Sequence, residues 1–240
     1  MIKNGKVKEC HGSRIHILRW VERPDFANQL SHLLCLTGAT VLSTDVWMPK
    51  GFSNPAEPRL EQFDPLPACV RQALQNWWLV HKCRANTPNW DLASTCTIQG
   101  QQGLVLIEGK AHVKELNEND SCRATNKANL DRIGQAICEA SQALAKEIPG
   151  VNISRDTHYQ LANRVAFSWK IASLGIPVIL VYLGFLGDKS WPRDQFEDDR
   201  HWMHELRKYM DNHIPEDFIS RWIDCGEEQI QMIIRSLPVE

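Results

Sequence analysis

Apolar residues recur along this 240-residue chain at spacings that predict helices and strands in alternation. Residues 126–146 show helical spacing most fully, because their apolar side chains recur every three or four positions. Similar patterns and end signals predict helices over 25–36, 66–80, 126–146, 158–174, 195–210 and 227–237. Runs of β-favouring residues predict strands over 14–21, 40–47, 90–98, 104–113 and 177–185.

The middle of the chain predicts an antiparallel hairpin followed by two helices and a buried strand. The strand runs 90–98 and 104–113 are joined by a short polar turn between Gly100 and Gly103. The run 177–185 (PVILVYLGF) is apolar almost throughout, which is typical of a strand buried on both faces. We therefore expect an α/β fold with a mixed central β-sheet flanked by helices.

Composition and charge indicate a folded globular protein but do not identify its function. Hydrophobic residues make up 43% of the chain and charged residues 23%, which favours a folded globular protein over a disordered one. No Gly/Ser tract, proline-rich run or fixed-period repeat marks a linker, so we expect residues 1–240 to form a single domain. The net charge of −2 excludes a strongly basic nucleic-acid wrapper, but a nuclease needs only a locally positive groove.

The cysteines and the apolar runs indicate a cellular compartment. None of the eight cysteines is spaced as C-x-x-C, and no Cys/His cluster has the spacing of a structural zinc site. The first residues (MIKNGKVKECHGS) are polar, and the longest apolar run, 176–186, is too short to span a bilayer. We therefore expect a soluble protein of the reducing cytoplasm with no membrane partner.

Three polar residues of the predicted hairpin have the chemistry of a metal-dependent phosphodiesterase. Glu108 and Lys110 lie two residues apart on a strand, so their side chains share one face. Asp91 lies near the start of the partner strand, and its approach to Glu108 depends on the register of the hairpin. Two carboxylates suit Mg²⁺ or Mn²⁺, and a neighbouring lysine can position the attacking water.

The segments NWDLASTC and GLVLIEGKAHVKEL resemble the active-site hairpin of the PD-(D/E)xK, or restriction-endonuclease-like, nuclease superfamily. The pattern of that superfamily is an aspartate on one strand, then an acidic residue, any residue and a lysine on the next. Asp91, Glu108 and Lys110 match these positions in order. The sequence departs from the pattern in having Trp90 where a proline is expected, and Gly109 is an unusual middle residue.

The resemblance implies a restriction-endonuclease-like core, αβββαβ, over about residues 66–186, with additions at 1–65 and a helical addition at 187–240. It implies a nuclease in which Asp91 and Glu108 hold Mg²⁺ or Mn²⁺ and Lys110 serves the attacking water. Nucleic acid is the implied partner, DNA before RNA, because most members of the superfamily cut DNA. A homodimer is also compatible with it, since dimers are common among enzymes that cut both strands.

Accessory residues are less specific. His112 shares the face of Glu108 in an unbent strand, and Gln135 resembles a glutamine that some members place on the helix after the hairpin. Glu61 precedes the predicted helix over 66–80, which corresponds to the first helix of the superfamily, where some members add an acidic ligand. Each has an ordinary alternative as a half-exposed strand residue or a surface side chain. Basic residues of the two following helices would contact phosphate or lie on solvated faces: Lys127, Arg132, Arg155, Arg164 and Lys170.

Two other functions are open at the level of sequence. The chain can be a non-catalytic member of the same fold that binds nucleic acid or a protein, and such a member would bind no divalent cation through Asp91 and Glu108. It can also be an unrelated α/β protein in which Glu108 and Lys110 form a structural ion pair. A large separation between Asp91 and Glu108 would favour that second alternative.

Overall fold

A mixed sheet with helices on both faces organises the computed structural model, which describes residues 12–239. The helices of this region are α1 (Ser13–Val21), α2 (Phe26–Leu33), α3 (Ala68–Trp78), α4 (Lys127–Glu147), α5 (Tyr159–Ser173) and α6 (Asp199–Met210). Its strands are β1 (Ala39–Thr40), β2 (Trp47–Met48), β3 (Leu92–Ile98), β4 (Gln101–Lys110), β5 (Val178–Leu186), β6 (Trp222–Asp224) and β7 (Gln229–Pro238). The predicted α/β class with a mixed, helix-flanked sheet is confirmed.

The sheet combines an antiparallel hairpin with a parallel centre. Its strand order is β1-β3-β4-β5-β7-β6, and β2 also pairs with β3. Strands β3 and β4 form the predicted antiparallel hairpin, while β4, β5 and β7 run parallel to one another. Strand β5 lies in the centre and is buried along nearly its whole length, as its apolar sequence predicts.

Two apolar layers enclose the sheet. Helices α3 to α6 pack on one face, where residues such as Leu106 and Leu180 form the larger core cluster. Helices α1 and α2 cover the other face, where Ile107 and Val181 belong to a second cluster. Alternate residues of β4 and β5 therefore point into different layers, as the two-residue repeat of a strand requires. Among residues 12–239 no helix combines the length and apolar character that crossing a bilayer requires.

The prediction of a strand over 14–21 is wrong, because these residues form α1. The run RIHILRWV is rich in β-favouring side chains, but Ile17, Leu18, Trp20 and Val21 are buried in its helical form. The Glu115 carboxylate also accepts a hydrogen bond from the first backbone amide of the helix, 3.1 Å away. Packing and this end contact therefore override the intrinsic strand preference.

The prediction of a C-terminal helix over 227–237 is also wrong. These residues form β7, which lies between β5 and β6, so residues 187–240 are not simply a helical addition. Ile230, Met232 and Ile234 belong to the larger core cluster, whereas Ile233 belongs to the second one. The side chains therefore alternate between faces, and the segment supplies a strand next to the centre of the sheet.

The predicted strand over 40–47 is present only as two short pieces. Strand β1 pairs with the end of β3, β2 pairs with its beginning, and a loop separates them. The loop stays close to the sheet because Thr95 contacts it three times: its hydroxyl donates to Asp45 and accepts from the Val46 amide, and its amide donates to the Val46 carbonyl. We call β1 and β2 together the interrupted edge strand.

Candidate active site

The register of the hairpin places Asp91 beside Glu108. Leu92, the first residue of β3, pairs with Ile107 of β4. Because the two strands are antiparallel, Asp91, just before Leu92, lies at the level of Glu108, just after Ile107. Asp91 Oδ2 accepts a hydrogen bond of 2.7 Å from the backbone amide of Gly109. The approach of Asp91 to the Glu108-x-Lys110 segment therefore follows from the register and needs no bend in the strand.

Glu108 is buried and bound by two cations. Its Oε1 atom accepts a hydrogen bond of 2.5 Å from Lys110 Nζ, and its Oε2 atom accepts one of 2.6 Å from Arg164 Nε. The side chain is only 1% exposed. Lys110, which is also buried, donates to Gln160 Oε1 at 2.7 Å. The hairpin and α5 thus build the site together.

Arg164 is fixed on three sides in this arrangement. Besides Glu108, it binds Asn163 Oδ1 at 2.8 Å through Nη1. Its guanidinium carbon lies 4.5 Å from the centre of the Trp90 ring, within cation–π range. Trp90, the residue before Asp91, therefore helps to position Arg164.

The two carboxyl groups of the site differ in their electrostatics. Burial raises the pKa of Asp91 to about 8, and the charge of Glu108 adds to this, against Lys110, Arg164 and the Gly109 amide. Burial would also raise the pKa of Glu108, but Arg164 and Lys110 outweigh it and hold that pKa below its ordinary value. The surroundings therefore favour the ionised form of Glu108 and oppose the ionisation of Asp91.

An open polar cleft gives access to this cluster. Its volume is about 740 Å³, and Asp91, Gln160 and Arg164 are on its wall. Glu108 and Lys110 lie behind these three residues, to which they are bonded or adjacent. Arg59 and Arg123 also line the cleft, together with the acidic Glu57 and Asp120. The cleft is therefore polar and of mixed charge, with arginines among the groups that a ligand would contact.

The donor set of the site fits a hard divalent cation. Within residues 12–239 there is no group of three or more His, Cys, Asp or Glu residues placed to hold a metal. Mg²⁺, however, commonly takes only one or two carboxylates and completes its shell with water and phosphate oxygens. Asp91 and Glu108 meet that requirement, but both oxygens of Glu108 are already engaged by cationic side chains.

The accessory candidates have other partners or an exposed position. His112 is buried, stacks on Trp191 with ring centres 4.1 Å apart, and has Nε2 3.7 Å from Glu115 Oε1. Gln135 lies on the exposed side of α4. Glu61 accepts a hydrogen bond from the hydroxyl of Thr87, which lines the cleft.

Gln160 and Asn163 of α5 are the contributions that the sequence did not single out. Gln160, rather than Gln135, supplies the amide that binds Lys110. A signal was present, because Asn163 and Arg164 interrupt a helix whose other residues from Leu161 to Trp169 are apolar or small. Buried polar residues in such a helix need partners, which predicts that they meet other polar groups.

The other basic candidates are engaged elsewhere. Arg155 donates to the Leu130 carbonyl, and Lys170 lies over Trp77 and Trp169.

Comparisons with protein-family models, with curated proteins and with solved structures each gave no match. The geometry of the hairpin, α5 and the cleft is therefore the basis for a functional proposal.

Proposed function

We propose that this protein is a divalent-metal-dependent nucleic-acid phosphodiesterase, and specifically a DNA nuclease of the PD-(D/E)xK type. The observation that carries the proposal is the convergence of Asp91, Glu108 and Lys110 beneath an open polar cleft. A buried carboxylate in a strand costs free energy, and the presence of Glu108 there, beside Asp91 and a lysine, is explained by a reaction that needs them.

The order of elements supports the proposal. Helices α1 and α2 are followed by the interrupted edge strand, β3 and β4, which form an antiparallel three-stranded meander. Helices α4 and α5 and the strand β5 come next, so the elements follow the αβββαβ order of the superfamily apart from the inserted α3 and a second helix before β5. Helix α3 lies between the edge strand and β3 in sequence, so the core proposed on this basis begins near α1 rather than at residue 66.

The chain's own residues have separate roles in this proposal. Asp91 and Glu108 would hold the metal. When bound, Mg²⁺ or Mn²⁺ lowers the pKa of a water and withdraws charge from phosphoryl oxygens. Lys110, oriented by Gln160, would hold the attacking water and stabilise the charge that develops on the phosphate. Arg59 and Arg123 would bind flanking phosphates from the wall of the cleft.

Cleavage assays test the proposal directly. Plasmid DNA, single-stranded DNA and RNA would be incubated with Mg²⁺ or Mn²⁺, beside EDTA controls and the variant Lys110→Met. Because the lysine acts where charge develops, we expect the variant to lose at least about 100-fold in cleavage rate. Lys114→Ala is the matched control, since Lys114 is exposed and pairs with Asp194 on the surface.

Thermal unfolding of both variants would show that they are folded. Cleavage by Lys110→Met at the wild-type rate would contradict the proposal, as would EDTA-resistant cleavage. Sedimentation of the same preparations would test the predicted homodimer, with and without DNA.

A non-catalytic nucleic-acid-binding protein of the same fold is the second candidate. The observation in its favour is that both oxygens of Glu108 are bound by Lys110 and Arg164. Such a protein would bind DNA equally well with EDTA and with Mg²⁺, measured by fluorescence anisotropy, and would cut none of the substrates. A purely structural Glu108–Lys110 pair would explain the ion pair, but it gives no reason for Asp91 to lie beside it.

A further inference from the structure

The contact between Arg164 and Glu108 involves a carboxylate oxygen that a bound metal would also use. Glu108 presents Oε2 to Arg164 Nε at 2.6 Å and Oε1 to Lys110 Nζ at 2.5 Å. A divalent cation needs direct access to a carboxylate oxygen, at about 2.0–2.1 Å for Mg²⁺. Each Glu108 oxygen has a second lone pair, but a cation bound there would share that oxygen with a positively charged donor only 2.5–2.6 Å from it. Release of one cationic side chain would remove this repulsion.

Charge balance also opposes simultaneous occupancy. The buried cluster contains two carboxyl groups, Asp91 and Glu108, and two cationic side chains, Lys110 and Arg164. Adding a divalent cation to this set would leave an excess of positive charge out of water, which is costly unless it is paired. Moving one guanidinium toward solvent reduces that excess.

Arg164 is the cationic side chain of the cluster that borders the cleft, whereas Lys110 lies behind the cleft wall. Both have a further partner besides Glu108, Gln160 for Lys110 and Asn163 for Arg164, so access to the cleft distinguishes them. A guanidinium forms paired hydrogen bonds with phosphate oxygens, so the cleft offers Arg164 a second partner when an anionic substrate is bound.

Resting on the proposed metal site, we infer that Arg164 holds Glu108 in the metal-free protein and exchanges with the divalent cation when it binds. The released guanidinium then faces the cleft and contacts a phosphate of the nucleic acid. Arg164 is thus both a placeholder for the cation and a substrate-binding residue. Metal and nucleic acid should consequently bind more tightly together than either does alone.

Side-chain NMR of the wild-type protein tests the exchange without a mutation in the measured sample. The Arg164 Nε–H signal would be assigned by its absence in Arg164→Lys and followed during a Mg²⁺ titration. We expect it to shift or weaken with the concentration dependence of Mg²⁺ binding measured by calorimetry. A signal that stays unchanged while Mg²⁺ saturates a site requiring Asp91 and Glu108 would overturn the inference.

Mn²⁺ affinity provides an independent measurement. Arg164→Met removes the competing guanidinium, so we expect it to bind Mn²⁺ about ten-fold more tightly than the wild type in a titration followed by electron paramagnetic resonance. Arg207→Met is the matched control, because Arg207 forms an exposed pair with Glu216. Wild-type affinity in a folded Arg164→Met protein would contradict the exchange.

The outcomes separate this inference from the proposed function. Exchange without cleavage of any substrate would leave the inference standing and refute the nuclease. Metal-dependent cleavage with an unchanged Arg164 signal would support the nuclease and refute the inference.

Discussion

Two buried carboxylates, one on each side of the sheet, are held in different ways. Asp188 lies 3.0 Å from His16 Nε2 and accepts a hydrogen bond of 2.9 Å from the Ser190 amide. Glu108, on the other side, is bound by two cationic side chains and has a second carboxyl group beside it. The Asp188 group is satisfied by its immediate neighbours, whereas the Glu108 group contains an acid whose ionisation the surroundings oppose.

The difference separates a structural polar contact from a candidate site. Burial would raise the pKa of Asp188, but the hydrogen bonds of His16 and Ser190 hold it below its usual range. In the Glu108 cluster burial and the charge of Glu108 raise the pKa of Asp91, so the surroundings oppose a second negative charge there. Groups that are unfavourable for folding and lie on a cleft are typical of functional positions.

The largest effect is expected when the Glu108 cluster loses its carboxylate. Glu108→Gln removes the carboxylate that binds both Lys110 and Arg164, so the free energy of unfolding should fall by about 3–5 kcal/mol. Urea denaturation of the variant and the wild type measures it. A loss below about 1 kcal/mol would mean that solvent screens this cluster far more than its burial indicates.

A smaller loss is expected on the other side of the sheet. Asp188→Asn keeps an acceptor for His16 and for the Ser190 amide but removes the charge. The free energy of unfolding should decrease by roughly 1–2 kcal/mol, because a hydrogen bond to a charged group is replaced by a neutral one. If the same urea experiment gives the larger loss for Asp188→Asn, the contrast between the two carboxylates is reversed.

The pH dependence of stability sharpens the contrast. Because the pKa of Asp188 is lower in the folded than in the unfolded chain, its contribution is present above the unfolded pKa and is lost as pH falls through the folded one. We expect Asp188→Asn to have a shallower loss of melting temperature below about pH 4 than the wild type. If the melting temperatures of the two proteins fell by the same amount between pH 6 and pH 3, this prediction would be contradicted.

The smallest change in stability is expected for Asp91→Asn, which should nevertheless abolish function. The amide oxygen still accepts the Gly109 hydrogen bond, and the acid that resists ionisation is removed. Stability at pH 7 should therefore stay within about 1 kcal/mol of the wild type or rise. Calorimetric Mg²⁺ titration should show no binding, and wild-type binding would refute the role of Asp91 as a ligand.

The sequence predicted local features better than distant partners. The two-residue repeat correctly placed Glu108 and Lys110 on one face, and the hairpin register brought Asp91 to them. Arg164 is 56 residues from Glu108 in sequence, and no local pattern specifies that contact. For the same reason the sequence alone does not indicate that Gln160, rather than Gln135, binds Lys110.

Tertiary context also decided the elements that were predicted wrongly. The segment forming β7 (QIQMIIRSLP) has apolar residues at spacings compatible with a helix or a strand, and pairing with β5 and β6 selects the strand. In α1 the β-favouring side chains are buried by the second core cluster, which outweighs their intrinsic preference. Pairing partners and core layers are long-range properties, so a single sequence leaves them open.

The position of β7 has a consequence for how the chain folds during synthesis. Strand β5 is apolar and needs β7 on one side, but residues 187–228 must be synthesised between them. Until β7 emerges, β5 presents an unpaired edge that can join strands of other chains. Aggregation during expression should therefore be most sensitive to changes in residues 187–228, which separate β5 from β7 in sequence. Fragments ending near residue 186 should be insoluble even though they contain Asp91, Glu108 and Lys110.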